Sequence, residues 1–188
     1  MNSPLLEAER GHLARLLAAI QRCVYFLEAS DQKHTWPFTS EYLIAHQKDI
    51  ALFESLSAIN EQFAKLQDTL GAAMRHATLL AGERSDTFLN ILAFYEKVGV
   101  IDSITEWQVC RTVRNLAAHD YDTDDAKIAE HLNALHTLIP HVYGNAGRFL
   151  LYCRDALGVV PVPGDFFDEF TNIKRLHTVS GWKSCPIK

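Results

Sequence analysis

Apolar residues recur at intervals of three and four along most of this chain, which is the period of amphipathic helices packed on a shared core. The first stripe predicts a helix over about residues 4–30 and consists of Leu13, Leu16, Leu17, Ile20, Val24 and Leu27. The polar stretch DQKHTWPFTS interrupts this period, so we expect a loop there. Thr39 or Ser40 can cap the helix that follows.

The second stripe is the longest and predicts a helix from near residue 41 to Leu80 that can be broken once. Its members are Leu56, Ile59, Phe63, Leu66, Leu70, Ala73, Ala77 and Leu80. Gly82 suits the position after its last turn, because glycine adopts the left-handed backbone that ends many helices. A shorter helix follows over about residues 88–98 and ends at Gly99.

The segment from Ser103 to Glu106 has the spacing of a capping box, so another helix begins there. Its inner stripe is Trp107, Cys110, Val113 and Ala117. We expect this helix to end near His119, because the following DYDTDD is polar and prone to turns.

The final predicted helix starts near Thr123 or Asp124, with Asp122 or Asp124 as its cap. Its buried face is Ile128, Leu132, Leu135, Ile139, Val142, Ala146, Phe149 and Cys153. Pro140 and Gly144 should kink or split it, because proline removes a backbone donor inside the helix.

The helical period is lost after Gly158, so residues 158–188 are predicted to form an extended, irregular C-terminal tail. Aromatic residues could dock this tail on the rest of the chain: Phe166, Phe167, Phe170 and Trp182. No stretch has a convincing strand pattern. The sequence therefore predicts an all-α fold, an antiparallel bundle of four or five helices over residues 1–157, followed by the tail.

Composition limits the classes of function. The chain has 188 residues, of which 48% are hydrophobic, enough for one domain with a buried core. Its net charge of −5 means that any contact with nucleic acid must be local or built from two chains.

With no signal peptide pattern and no apolar run near the ~20 residues of a membrane span, we expect a soluble, cytoplasmic protein. The scattered cysteines, including Cys23, Cys110 and Cys153 on apolar faces, are interpreted as buried, reduced thiols.

One segment gathers side chains with chemical potential where a helix is predicted to end: Arg114, Asn115, His119 and Tyr121. A histidine can move a proton at neutral pH, and an arginine can hold a phosphate through paired hydrogen bonds. Such a pair can cleave RNA without a metal or other cofactor when the ribose 2′-hydroxyl is the nucleophile. Arg114 and His119 would point ~140° apart on a regular helix, so they converge only if the helix ends or tightens near Ala118.

The residues alone also allow a structural interpretation of this segment. Arg114 would be a surface arginine paired with an aspartate, and His119 would help to cap the helix C-terminus. Tyr121 would pack under the turn, with its hydroxyl bonded to the backbone. Arg111, one turn before Arg114, could add a second phosphate contact or be an ordinary solvated residue.

The pattern R-N-x-x-x-H-x-Y, formed by Arg114, Asn115, His119 and Tyr121, resembles the HEPN superfamily and within it the HepT-type toxins. The preceding YEKVGVIDSITEW is also similar to that family, whereas Ala118 stands where a bulky apolar residue is often found. The resemblance covers about residues 1–157 and is strongest over 86–125.

The resemblance implies a toxin of a toxin–antitoxin system that cleaves RNA as an endoribonuclease. It implies a homodimer in which the segments of two chains form a composite cleft, with Arg114 and His119 catalytic and Asn115 assisting. It also implies an antitoxin that is a minimal nucleotidyltransferase and can transfer AMP to Tyr121. The alternative is a non-catalytic helical subunit that binds a nucleotidyltransferase, and a third interpretation is a plain dimeric scaffold.

Weaker signals point away from metal sites. The alternating Asp120, Asp122 and Asp124 resemble a calcium loop, but the positions for its glycine and its final glutamate are not matched. His131, His136 and His141 are spaced by five, whereas zinc-binding pairs on a helix are spaced by three or four. We therefore expect these histidines to be ordinary surface or interface residues, and no metal site is predicted.

Overall fold

A computed structural model of the chain describes residues 4–119 and 124–178, except for the side chains at 116–119 and 178. These residues form seven helices and no strand. The helices are α1 (Pro4–Asp31), α2 (Ser40–Ala45), α3 (Ile50–Leu80), α4 (Phe88–Lys97), α5 (Ile104–His119), α6 (Asp125–Leu157) and α7 (Phe167–Thr178). The predicted all-α helical bundle is confirmed. It has more helices than the four or five expected, because α2 separates from α3 and α7 forms in the predicted tail.

The long helices α1 and α3 run antiparallel. Near one end of the pair His76 Nε2 bonds to the carbonyl of Glu9, and near the other His34 bonds to Ser55. Helices α5 and α6 pack against this pair and close one continuous core. Its largest fully buried side chains include Tyr95, Tyr143, Phe63, Phe149, Leu13, Leu17 and Ile20. Burying such side chains is the main favourable contribution to folding.

Local capping signals set most helix boundaries where the sequence predicts them. Thr39 caps α2 by accepting a hydrogen bond from the amide of Tyr42. The predicted break falls just after α2, where Asp49 caps the start of α3 by accepting from Leu52. Gly82 and Gly99 follow α3 and α4 with φ of 72° and 73°, which is the left-handed region that glycine adopts without steric cost.

Helices α5 and α6 also start at predicted caps. Ser103 Oγ accepts from the amide of Glu106 at 3.0 Å, and Asp124 Oδ1 accepts from the amide of Ala126 at 3.0 Å. Helix α6 continues through Pro140 and Gly144 without interruption, so the predicted split does not occur. Pro140 lies on an exposed face, where water can reach the backbone that loses a donor.

The prediction of an extended tail is wrong for part of the segment. Residues 158–166 lack helix, but Phe167–Thr178 form α7, which packs on α1 and α6. Phe170 and Ile173 are buried on its inner face, whereas Phe167 is exposed. Phe166 docks on α1 against the rings of Tyr25 and Phe26. Trp182, also expected to dock, lies outside the described residues.

The thiols of Cys23, Cys110 and Cys153 are buried and free, as predicted. Burial raises the pKa of each thiol, to about 11 for Cys110, because the thiolate would lose its hydration.

Within the described ranges, none of the helices is both long and apolar enough to cross a membrane.

Candidate functional site: an arginine groove between α3 and α5

Helix α5 carries the polar segment singled out in the sequence, and its register separates that segment into two faces. Trp107, Cys110 and Arg114 lie on the face that packs against the bundle, since they follow one another by three and four residues. The side chain of Arg114 is only 13% exposed. Arg111 and Asn115 lie on the outer side and are exposed. Arg114 and Asn115 are therefore neighbours in sequence that face different surroundings.

The guanidinium of Arg114 joins α5 to α3. Its Nη1 donates to the carbonyl of Ala64 at 3.1 Å and lies 2.5 Å from Oδ1 of Asp68. Its Nε is buried without a hydrogen-bond partner among the described residues. The structural interpretation of this arginine, an ion pair with an aspartate, is what the structure contains, although the arginine is largely enclosed rather than on the surface.

Helix α5 carries both Arg114 and His119 and extends to His119. The sequence predicted convergence of the two side chains only if the helix ended or tightened near Ala118. In a regular helix the two positions differ by ~140°. The side chain of His119 and the whole of Tyr121 lie outside the described residues, so their predicted roles stay predictions.

A groove of about 460 Å³ runs between α3 and α5 beside this segment. Its floor contains Gly71 and Ala72 of α3, while Phe88 and Trp107 contribute aromatic edges. Gly71 keeps the floor low, because a Cβ there would lie 3.3 Å from Cζ of Phe88 and 3.7 Å from Cζ2 of Trp107. The groove exists because Gly71 and Ala72, which lie beside the buried stripe of α3, have little or no side chain.

We call this feature the arginine groove, because Arg75, Arg111 and Arg114 all line it and Asp68 is its one acidic residue. The guanidinium carbon of Arg75 lies 5.6 Å from the centroid of the Phe88 ring, a cation–π contact that orients its donors. Within the part of the chain that the structure describes, neither Arg75 nor Arg111 pairs with a carboxylate. A chain with a net charge of −5 therefore has a local basic site.

Gln67 adds an unsatisfied acceptor to the lining of the arginine groove. Its Nε2 donates to the backbone carbonyl of Trp107 at 3.1 Å, which leaves Oε1 buried and without a partner among the described residues. Buried polar atoms without a protein partner are uncommon, and an ordered water is the usual partner of such an atom. Gln67 is itself only 3% exposed.

Sequence reasoning considered Arg111 but missed Arg75, Gly71 and Gln67. The available signal was the run Gly71-Ala72-Ala73 inside a stripe of large residues, with Arg75 one turn after Gly71. That pattern indicates a shallow, basic strip on α3, but it does not say which helix lies opposite.

A second polar cluster lies far from the arginine groove, where α1 meets α6 and α7. Glu28 bonds to Nε2 of His177 at 3.1 Å, and Asp31 bonds to Nδ1 of His136 at 2.8 Å. Burial alone would raise the pKa of Glu28, but the bond and charge of His177 lower it below its usual value. Burial raises the pKa of Asp31. His136 and His177 are thus packing residues that join helices.

One group of described residues has the spacing of metal ligands. Single ligand atoms of Asp102, Glu106 and His141 all lie within 4.8 Å of one another. Asp102 and His141 are exposed, and Oδ2 of Asp102 is already paired with Nη2 of Arg148 at 2.7 Å. An exposed carboxylate with a cationic partner is a weak metal ligand, so these residues do not form a convincing metal centre.

No protein-family model, curated protein or solved structure matches this chain. The resemblance to the HEPN superfamily therefore depends on the residues that carry it: Arg114, Asn115, His119 and Tyr121.

Proposed function

We propose that this protein is a metal-independent endoribonuclease of the HepT type, within the HEPN superfamily, and the toxin of a toxin–antitoxin pair. The observation that supports this proposal most directly is the arginine groove beside the R-N-x-x-x-H segment of an otherwise acidic chain. Arginine guanidinium groups match the geometry and charge of phosphates, which are the groups that any ribonuclease must hold.

The proposed reaction is a transesterification within the RNA strand. His119 removes the proton of a ribose 2′-hydroxyl, whose oxygen then forms a bond to the adjacent phosphorus while the bond to the 5′-oxygen breaks. His119 of the partner subunit supplies a proton to that leaving oxygen. An arginine, which the sequence motif identifies as Arg114, and Asn115 stabilise the negative charge on the phosphate. The products are a 2′,3′-cyclic phosphate and a 5′-hydroxyl.

A second copy of the chain is expected to complete the cleft. The exposed face of α5 carries the uncharged residues Thr105, Gln108, Val109 and Thr112. In helix register His119 follows this row, because 105, 108, 112, 116 and 119 are separated by three or four. Two such rows can approach each other with uncharged residues in contact and Arg111 to one side, which would place two His119 positions near a common axis.

The expected antitoxin is a minimal nucleotidyltransferase that modifies Tyr121 with AMP. An AMP group adds a negative phosphate and a bulky base two residues from His119, so it would compete with RNA for the arginines. In this proposal the modified chain stays folded but no longer binds its substrate.

A second candidate function is favoured by one specific observation. Because Arg114 is mostly enclosed and already bonded to Asp68 and Ala64, it resembles a structural residue more than a free phosphate ligand. A chain in which Arg114 only supports the fold would suit a non-catalytic helical subunit that binds a nucleotidyltransferase.

Cellular and biochemical assays of one histidine separate the two functions. Wild type, His119→Ala and the control His141→Ala, an exposed histidine on α6, are compared for growth arrest and for cleavage of purified RNA. We expect His119→Ala alone to lose both effects, and wild-type products to carry cyclic phosphate ends. Growth arrest and RNA cleavage that persist in His119→Ala would show that the nuclease assignment is wrong.

The modification is tested separately by intact mass. Coexpression with a minimal nucleotidyltransferase, the expected antitoxin, should add AMP to the wild type and not to Tyr121→Phe. An adduct that remains on Tyr121→Phe would place the modified residue elsewhere.

A further inference from the structure

We infer that Arg111, acting with Arg75 across the arginine groove, is the residue that binds the RNA phosphates, whereas Arg114 holds α5 in position. This inference rests on the proposed ribonuclease function for its choice of RNA, and it changes which arginine of the segment contacts the substrate. The ligand that it assigns to the groove is the phosphodiester backbone of a single-stranded RNA.

Arg114 is poorly placed for the phosphate contact that the motif gives it. Its Nη1 serves the carbonyl of Ala64 and the carboxylate of Asp68, and its side chain is 13% exposed. To bind a substrate in front of α5, the guanidinium would have to leave both partners and leave the Ala64 carbonyl unpaired. The same bonds give it a clear structural role between α3 and α5.

Arg111 has the opposite character, because it is exposed and lines the groove without a carboxylate partner among the described residues. Its position on α5 is also in one helical row with position 119, which carries the proposed proton-transfer residue His119. Positions 111, 115 and 119 are separated by four residues, so successive members differ by only ~40° around α5. Positions 111, 115 and 119 therefore lie in one i, i+4 row of the helix, to which position 114 does not belong.

The length of this row fits a strand better than a single phosphate. Positions 111 and 119 are eight residues apart, which is ~12 Å along a helix axis. Arg111 and His119 would then contact neighbouring groups of one RNA strand, with Asn115 between them. Arg111 becomes a substrate-binding residue, since it anchors the strand at one phosphate while His119 acts on another phosphate of the same strand.

On the α3 side of the groove, Arg75 supplies a second guanidinium that can bind a phosphate. Arg75 of α3 lies over the ring of Phe88, and this stacking limits the orientations of its guanidinium. Against Arg75, Arg111 and Arg114, the one acidic lining residue is Asp68, so the groove has excess positive charge for a phosphate.

An unstacked single strand suits these groups better than a duplex does. A duplex hides its base edges and offers mainly its backbone, whereas a single strand can place a base against an aromatic side chain. The groove places Phe88 beside its arginines, so an unstacked base can lie against the ring while the arginines hold the backbone.

The test separates binding from cleavage by using a ligand that cannot react. A short fluorescein-labelled single-stranded RNA with 2′-O-methyl riboses lacks the attacking hydroxyl, so its fluorescence anisotropy reports binding alone. The full-length wild type is compared with Arg111→Gln, Arg75→Gln and Arg114→Gln across a series of salt concentrations. Arg84→Gln is the matched control, because Arg84 is exposed, pairs with Asp86 and does not line the groove.

We expect Arg111→Gln and Arg75→Gln each to weaken binding roughly tenfold and to reduce the salt slope by about one phosphate contact. Arg84→Gln should match the wild type. Arg114→Gln should melt at a lower temperature but keep the wild-type salt slope in the folded protein. Unlabelled AMP is the competitor that reveals whether the groove instead takes a free mononucleotide.

Several outcomes would overturn the inference: equal binding by Arg111→Gln and Arg84→Gln, a lost salt contact in Arg114→Gln alone, or binding of AMP but not RNA. Parallel assays with unmodified RNA keep the two proposals apart. If Arg111→Gln binds and cleaves like the wild type, the inference fails and the ribonuclease stands. If the wild type binds RNA through Arg111 but never cleaves it, the inference stands and the ribonuclease fails.

Discussion

Arg114 of α5 and Asp68 of α3 form an ion pair across the helix interface, with Nη1 and Oδ1 2.5 Å apart. The pair is asymmetric, because the arginine side chain is 13% exposed and the aspartate side chain is 68% exposed. The arginine also donates to the backbone carbonyl of Ala64. The two partners should therefore contribute unequally to stability.

Replacement of Arg114 is expected to cost more than replacement of Asp68. Arg114→Met removes the donor to the Ala64 carbonyl and should lower the free energy of unfolding by about 1–3 kcal/mol. Asp68→Asn removes one exposed charge, so we expect a loss of about 1 kcal/mol or less. Urea denaturation followed by circular dichroism measures the free energy of unfolding of both variants. A free energy of unfolding for Arg114→Met equal to that of the wild type would contradict a structural role for the arginine.

Gly71→Ala tests whether the floor of the arginine groove depends on the missing side chain. Alanine is favoured over glycine inside a helix by about 1 kcal/mol, but the new Cβ would lie 3.3 Å from the ring of Phe88. We expect a melting temperature close to that of the wild type and a narrower groove that binds RNA less well. Calorimetry and fluorescence anisotropy provide the two readings, and RNA binding unchanged from the wild type would show that the floor is not part of the site.

The attachment of α7 should depend on pH through His177 and Glu28. The hydrogen bond and charge of Glu28 raise the pKa of His177, although burial opposes this shift. A histidine whose pKa is higher in the folded protein than in the unfolded chain stabilises the fold fully at pH values below its unfolded pKa. This stabilisation is lost as the pH rises through the folded pKa. Glu28 has a lowered pKa in the folded protein, so it stabilises the fold at pH values above its unfolded pKa. This stabilisation is lost as the pH falls through the folded pKa. The pair should therefore be most effective between about pH 4.5 and 6.5.

Thermal unfolding measured at a series of pH values checks this expectation. The melting temperature of the wild type should decrease as pH rises from about 6.5 to 8.5, and His177→Gln should reduce that decrease. His46→Gln is a suitable control, because His46 stacks on Tyr42 away from α7. If wild type and His177→Gln show the same pH dependence, another group is responsible.

The buried thiols should be unreactive in the folded protein. Burial raises the pKa of Cys110 to about 11 and also raises those of Cys23 and Cys153, so few thiolates form at neutral pH. In a Cys185→Ser background, iodoacetamide should label almost nothing until denaturant is added. Mass spectrometry counts the labelled sites, and rapid labelling of the native protein would mean that the helices open readily.

Local signals predicted the helix boundaries well. Thr39, Gly82 and Asp124 act within a few residues of the ends that they define, so their roles can be recognised without a fold. Helix α7 was missed because its buried stripe is short and follows a segment rich in proline and glycine. Docking on α1 and α6, rather than a strong pattern of its own, stabilises it.

The candidate site was harder to predict because its contacts join distant parts of the chain. The sequence singled out Arg114 by its place in a motif, but only the fold reveals that Asp68 and the Ala64 carbonyl engage it. Arg75 and Arg111 share a groove only because α3 and α5 pack side by side. Periodicity assigns residues to a face, whereas the partner of that face depends on tertiary structure.

Helix α1 makes several hydrogen bonds to residues that are made much later than itself. Arg10 donates to the carbonyl of Gly158, the Ala14 carbonyl accepts from Val162, and Glu28 bonds to His177. During synthesis α1 leaves the ribosome before α3, α6 and α7, so it can pack on α3 early but must wait for α6 and α7. Until then its remaining apolar surface is open to other proteins, so translation rate and chaperone access should affect the yield of this fold more than they would for a bundle of sequential neighbours.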